Sequence, residues 1–550
     1  MDARQHGGST WWKEGVIYQI YPRSFADANG DGVGDLRGIV AHLDYLNDGS
    51  ADSLGVDGIW LSPIYPSPLY DFGYDVSDYH DVDPVFGALV DFDLLVAEAH
   101  RRGLRIILDL VMNHTSHLHP WFVESRSSRD NPKRHWYIWR DKPNNWQSVF
   151  GGSAWEWDQA TRQYYLHSFL AQQPDLNWRN PEVQEALMAE VRFWLDRGVD
   201  GFRLDVANFF FKDDQFRDNP FHLGGLRGYD RQRHVYDKDR PETHRALKAF
   251  RRILDGYPGR MSVGEIGTHD PALAASYLGD GQDELHLAFN FAFTHCSWDA
   301  RAFHRAIAAW ERALPAGGWP CYVLSNHDVT RHYSRYAHGG QGDARAKVAA
   351  AMLLTLRGTP FLYYGEEIGM RNVHIPRREI QDPPGRRYWP FYRGRDGCRT
   401  PMQWDSGQDA GFGAGVPWLR LGPDYPRVNV AAQSRDPNSL LSFYRKLIWR
   451  RKASPALRRG SYRALIEKPV DSLAYLREVP EQSVLVCLNF SSRPTRVDLS
   501  AASLPAEEWR VLLTSAGRSA EKVIEFRNSK FGIRTLLPLD PYEALILEAV

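Results

Sequence analysis

Short runs of β-branched and aromatic residues recur along the chain. Each ends in polar or small residues, and a helical spacing of apolar positions follows most of them. Eight such runs stand out, at residues 16–21, 58–63, 105–111, 201–206, 261–266, 285–291, 321–326 and 360–365. Apolar positions at helical spacing fill 90–102, 181–197, 245–254 and 344–355 between them. Strands alternating with helices pair in parallel through βαβ units. Eight units predict an α/β fold, a closed (β/α)8 TIM barrel, whose active site lies at the C-terminal ends of the strands.

Two stretches break the alternation. After the third strand a long segment rich in Trp, Pro, Asn and Gly exceeds an ordinary βα loop. Near the C-terminus, runs at 472–477, 483–489 and 542–548 have the character of antiparallel strands. The expected organisation is therefore a barrel over 1–111 and 181–460, an inserted subdomain over 112–180, and a C-terminal antiparallel β-sandwich over 461–550. The segment 365–436 is a further long excursion after the eighth strand.

Composition narrows the function. With 67 basic and 68 acidic residues the formal net charge is -1, which offers no general attraction to nucleic acid or an anionic membrane. No run of 18 apolar residues occurs, and the opening MDARQHGGSTWWKEG lacks an apolar signal core. Cys296, Cys321, Cys398 and Cys487 form no CxxC pair, so a zinc site or disulfide framework is not expected. Such sparse cysteine usage fits a reducing cytoplasm.

Five segments carry candidate chemistry. Asp27, Asn29 and Asp31 alternate along a glycine-rich loop that continues to Val33 and Asp35. Oxygen side chains at alternate positions, with a backbone carbonyl at Val33, would wrap a hard cation such as Ca2+ or Mg2+ in a structural site. The acidic twelfth position of an EF-hand loop is missing, since Gly38 stands there, and an Asx/Gly-rich turn without metal is the alternative. The second segment, DLVMNH, ends on Asn113 and His114. The third, GFRLDVAN, places Arg203 and Asp205 two apart, hence on one face of a strand. Alone this is equally a structural ion pair; at a barrel mouth the Arg would hold a nucleophilic carboxylate ionised. The fourth, GEIG, presents Glu265 between glycines with no cation adjacent in sequence, so its pKa could rise. The fifth, SNHD, carries His327 and Asp328, and otherwise reads as a helix cap. Three carboxylates at strand ends suit glycoside hydrolysis, which needs one ionised nucleophile and one protonated acid.

These segments, in this order, resemble the hallmark regions of the α-amylase family of glycoside hydrolases (family 13). The opening YQIYPRSF, the metal-type loop, DFGYDVSDY, QPDLNW and RTPMQW extend the resemblance over nearly the whole chain and towards its α-glucosidase and oligo-1,6-glucosidase branch. The resemblance implies a nucleophile at Asp205, a general acid/base at Glu265 and a transition-state stabiliser at Asp328. It implies substrate contacts from Asp71, Tyr74, His114, Phe169, Gln173, Arg203, His327 and Arg399, with Asp71 paired to Arg399 to close the pocket's inner end. Asn113 is expected to shape the pocket rather than to bind calcium. The implied activity is retaining, exo-acting cleavage of a terminal α-linked glucose from short oligosaccharides, with transglucosylation and no organic cofactor. Val206, after the nucleophile, leans towards α-1,6 linkages, whereas longer segments resemble enzymes of short α-1,4 substrates. A sucrose-active or isomerising relative is the alternative among enzymes; the RLDRD-type loop often found in isomaltulose-forming relatives is absent. A transporter-heavy-chain-like binding protein is the alternative outside them; those carry a membrane anchor and usually lack the full carboxylate set.

Overall fold

A computed structural model describes residues 11–225, 227–337, 339–500, 502–518, 522–526 and 536–550. The polar stretch 1–10 lies outside the described residues. The barrel opens with β1 (Ile17–Ile20), β2 (Gly58–Leu61) and β3 (Arg105–Leu110). Three short strands follow, β4 (Trp139–Arg140), β5 (Trp155–Asp158) and β6 (Gln163–Leu166), in their own antiparallel sheet. The barrel resumes with β7 (Gly201–Leu204), β8 (Met261–Gly264), β9 (Leu287–Ala288), β10 (Cys321–Val323) and β11 (Thr359–Tyr363). These eight strands form one sheet in the order β10-β11-β1-β2-β3-β7-β8-β9, parallel at every pairing. A single parallel bridge between Asn290 and Tyr322 joins its two ends.

The C-terminal region contains β12 (Ser461–Ala464), β13 (Ser472–Val479), β14 (Gln482–Asn489), β15 (Thr495–Asp498), β16 (Glu508–Thr514), β17 (Val523–Glu525), β18 (Leu536–Leu539) and β19 (Ala544–Ala549). Six of them make an antiparallel sheet, and β15 pairs with β18 in a second. Leu476, Leu485 and Leu547 of the larger sheet share a buried cluster with Val497, Leu537 and Leu539 of the smaller one, so the two sheets enclose a core as a sandwich does.

The barrel's interior explains where the chemistry sits. Ile17, Trp60, Ile107, Met261, Leu287, Cys321 and Phe361 fill a buried apolar layer. Two residues further along a strand the side chain points to the same face. There Ile17 gives way to Gln19, Ile107 to Asp109 and Gly201 to Arg203. On β1, β3 and β7 the inward face thus turns polar at the strand's C-terminal end, whereas Val263, Phe289 and Val323 keep it apolar across the barrel. Asp109 and Arg203 are register partners across β3 and β7, so they stand at one level.

Each barrel strand is shorter than its apolar run, β9 most of all with only Leu287–Ala288 paired. β7 stops at Leu204, because Val206 adopts a left-handed backbone at φ 38°. Helix Pro181–Asp196 behaves as expected, with Pro at its first position and Asn180 capping Glu182. Among the described residues no helix is long and apolar enough to cross a membrane.

Candidate active site

Arg203 is the hub of the barrel mouth. It is 2% exposed and donates to Asp109 at 2.7 Å, to Asp205 at 2.8 Å, and to Glu265 through its other terminal nitrogen. Burial pushes Asp109 up to about 6 despite Arg203. Burial likewise pushes Asp205 well above the carboxylate range; Arg203 opposes this, while Glu265 and Asp109 add to it. Arg203 pairs with Asp205 as their two-residue spacing suggested, and it also reaches Glu265, whose cation comes from the neighbouring strand rather than from its own segment. One guanidinium thus faces two buried carboxylates, Asp109 and Asp205, and the half-buried Glu265, and burial favours the protonated form of the first two. Carboxyl groups in unlike environments around one cation are the arrangement that acid-assisted displacement requires.

Behind this cluster, Tyr74 donates to Asp109 at 2.9 Å and its hydroxyl lies 2.7 Å from Nε2 of His327. Gln19 stands 2.8 Å from Nδ1 of the same ring. Burial lowers His327 to about 3 and His114 to about 4, so both rings are neutral near pH 7. Gln173 joins His114 at 3.1 Å to Asp71 at 3.3 Å, and Phe169 leans on His114 with ring centroids 5.3 Å apart. Every substrate residue expected from the sequence therefore lies in or against this one cluster, and Asp328 joins it through 3.4 Å from His327.

The partner of Asp71 differs from the expected one. Arg395, not Arg399, donates to Asp71, at 2.8 Å. Arg399 donates instead to the His327 carbonyl at 2.8 Å and to Asp328 at 2.8 Å. Arg395 also reaches Asp328 at 3.1 Å and the buried Asp382 at 2.7 Å. The two arginines flank one turn of helix, Asp396–Cys398, so both face the site, and Arg395 is the one nearer Asp71. Burial works to raise Asp328, but His327, Arg395, Arg399 and Arg203 together hold it far below the usual carboxylate range. Near pH 7, where the His327 ring is neutral, the arginines are the charges that keep Asp328 ionised.

Sequence reasoning missed Arg395 and the role of Asp109. An arginine four residues before Arg399 was the available signal for the first; a carboxylate inside an otherwise apolar strand was the signal for the second. Asn113 is buried and pairs with a protein cation. Its side-chain oxygen accepts from the Lys212 ammonium at 2.8 Å, and that ammonium also pairs with Asp175 at 2.7 Å. A protein cation thus occupies the oxygen donors there.

The loop after β1 is built on its own hydrogen bonds. Asp27 accepts from Gly30 at 2.6 Å and Gly32 at 2.9 Å, Asp31 from Val33 at 2.8 Å, and Asp35 from Ala28 at 2.9 Å. Among the described residues, no three His, Cys, Asp or Glu side chains are grouped to hold a metal. The donor chemistry of Asp27, Asn29, Asp31, Asp35 and the Val33 carbonyl is nonetheless all oxygen, the set a hard cation takes.

The parallel eight-stranded barrel carries its carboxylate cluster at the mouth, and residues 19–460 match the alpha-amylase catalytic domain family. The chain belongs to this family of glycoside hydrolases. A protein named probable alpha-glucosidase from Rhizobium meliloti (strain 1021) is 48% identical over 508 residues, spanning 89% of this chain and 91% of its own. An oligo-1,6-glucosidase from Parageobacillus thermoglucosidasius is 42% identical over 518 residues, spanning 88% and 91%. The crystal structure of an alpha-glucosyl transfer enzyme, XgtA, shares 42% identity and a TM-score of 0.88, covering 98% of this chain and 100% of that one.

Proposed function

We propose that the protein is a retaining, exo-acting α-glucosidase that removes the terminal non-reducing glucose of short α-linked oligosaccharides and also transfers it to other hydroxyl acceptors. The observation that carries this reading is that Asp205 and Glu265 share the guanidinium of Arg203. Inverting enzymes keep their carboxyl groups far enough apart for a water; retaining ones hold them closer. A pair bridged by one guanidinium belongs with the second geometry.

The steps follow from this placement. The Asp205 carboxylate attacks the anomeric carbon as Glu265 gives a proton to the departing glycosidic oxygen. The covalent glucosyl–Asp205 ester is then opened by water or by an acceptor hydroxyl, whose proton returns to Glu265. Asp328, held ionised by the arginines, accepts hydroxyls of the distorted ring. Asp71, Arg395, Gln173 and His114 cap the inner end of the pocket, which favours a chain terminus over an internal unit.

The loop from Asp27 to Asp35 is proposed to hold a structural Ca2+ or Mg2+, which would tie β1 to the helix Leu36–Ala41 that Asp35 caps. The four cysteines are all unpaired, which supports a reducing compartment. The test of the main reading is NMR of the first-formed glucose released from an aryl α-glucoside. The α-anomer is expected; the β-anomer overturns retention, and undiminished turnover after Asp205→Asn overturns the assignment of the nucleophile.

A further inference from the structure

The inserted sheet and the excursion after β11 meet along a seam beside the pocket. Two cavities open on that seam, of about 380 Å3 and about 550 Å3. Both are lined by Leu170, Gln172, Pro383 and Arg387, so Arg387 stands between them. The first is also lined by Phe150 and Phe169. Those two rings belong to the pocket wall: Phe150 lies 5.2 Å from the Arg395 guanidinium and 5.5 Å from Phe169. Through Phe150 and Phe169 the seam begins at the pocket wall.

It is bridged at one point. Gly151 and Gly152 follow Phe150 in a turn with φ of 96° and 84°, a backbone that favours glycine. A Cβ on Gly151 would lie 1.6 Å from the Tyr388 hydroxyl, and one on Gly152 would lie 2.8 Å from a terminal nitrogen of Arg387. From the third side Arg227 donates to the Val149 carbonyl at 3.4 Å while pairing with Asp230. Side chains from the β11 excursion thus rest directly on the glycine backbone of the inserted subdomain, in a space that no other residue type leaves.

We propose that Arg387 and Tyr388 form a clasp with the Gly151–Gly152 turn that interrupts a groove running outward from the pocket mouth. The clasp limits the leaving group or acceptor to a single sugar ring or a small alcohol, and longer α-glucan chains are excluded by the bridge rather than by the glucose pocket. This inference rests on the α-glucosidase reading.

The experiment compares kcat/KM on maltose and on maltotetraose for the unaltered chain and for Arg387→Ala, Tyr388→Ala and the double variant, with thermal melting to verify folding. The ratio of tetraose to disaccharide is expected to rise about tenfold in the double variant, equivalent to about 1.4 kcal/mol of relieved discrimination. An unchanged ratio in folded, active variants overturns the clasp alone. If Tyr388→Ala does not fold, Arg387→Ala decides by the same ratio, since its side chain is exposed. Absence of turnover of any α-glucoside by the unaltered chain instead overturns the glucosidase reading itself.

Discussion

Arg203 and Asp109 are register partners across two parallel strands, and the guanidinium donates to the carboxylate at 2.7 Å. Asp109 is fully buried and touches Trp60 at 3.3 Å and Tyr74 at 2.9 Å, so it fixes Arg203 from below while Asp205 and Glu265 take it from above. Asp109 is a positioning residue. Asp109→Asn removes one negative charge from the cluster, and less repulsion lowers the proton affinity of the carboxylates that remain. The acid limb of the kcat/KM profile is expected to move to lower pH, with kcat reduced on the order of a hundredfold by loss of alignment. A pH profile with unchanged inflections would show that Asp109 supports the fold only.

The inner end of the pocket rests on Arg395. Its nitrogens divide between Asp71, Asp328 and Asp382, and Asp382 is fully buried. Lysine keeps the charge but cannot fork between carboxylates. Arg395→Lys is expected to raise KM for maltose about tenfold. Arg395→Ala leaves buried carboxylates unpaired and is expected to destabilise the fold by about 3–5 kcal/mol. Steady-state kinetics and denaturant unfolding check the two in turn.

What the sequence made legible follows from burial. Barrel strands covered on both faces are nearly continuous apolar runs, so polar residues inside them stand out, and Arg203, Asp205 and Glu265 did. Arg395 lies in an irregular excursion, where no periodicity says which way a side chain points. Its neighbour Arg399 carried the recognisable motif and was assigned Arg395's partner. The reach of Arg203 across to β8 was likewise invisible, because adjacency in sequence says nothing about the next strand. The end of β7 was misjudged for a different reason. A β-branched residue such as Val206 argues for continued strand, and nothing local announces a left-handed backbone there.

The buried imidazoles set a pH dependence with a definite sign. His114 and His327 are lowered to about 4 and about 3, below the value near 6.5 of an unfolded chain. Between those limits the unfolded state binds the protons, so each ring makes the fold less stable as pH falls from 6.5. Asp109, raised to about 6, works the other way between pH 6 and 3.8, because there the folded state binds the proton. The informative quantity is therefore a difference. His114→Gln is expected to flatten the decline of Tm between pH 6.5 and 4 relative to the unaltered chain, and identical slopes would refute the burial effect.

A cation in the loop after β1 would stabilise the folded state by mass action. Excess EDTA is then expected to lower Tm by several degrees, with Ca2+ or Mg2+ restoring it. Asp27→Ala is a poor probe, since Asp27 also holds two loop N–H groups. Asp31→Asn is the better one: it keeps an acceptor for Val33 and removes only the charge. In that variant the response to EDTA is expected to shrink or vanish. A Tm indifferent to chelator in the unaltered chain would mean that hydrogen bonds alone hold the loop.

Val206 links backbone conformation to linkage preference. Its φ of 38° places a β-branched residue where such residues rarely sit, and its N–H lies 3.4 Å from the Glu265 carboxylate. Its side chain is buried, and it directly follows Asp205. Threonine has nearly the same shape but adds a hydroxyl, so Val206→Thr changes the polarity of this position while disturbing the turn little. A single group of that kind shifts discrimination by about 1–3 kcal/mol. The ratio of kcat/KM for isomaltose over maltose is accordingly expected to fall about tenfold in Val206→Thr, with their sum much less affected. Parallel rates on the two disaccharides before and after the substitution read this directly. An unmoved ratio would assign linkage preference to the walls beyond Arg387 rather than to the residue after the nucleophile.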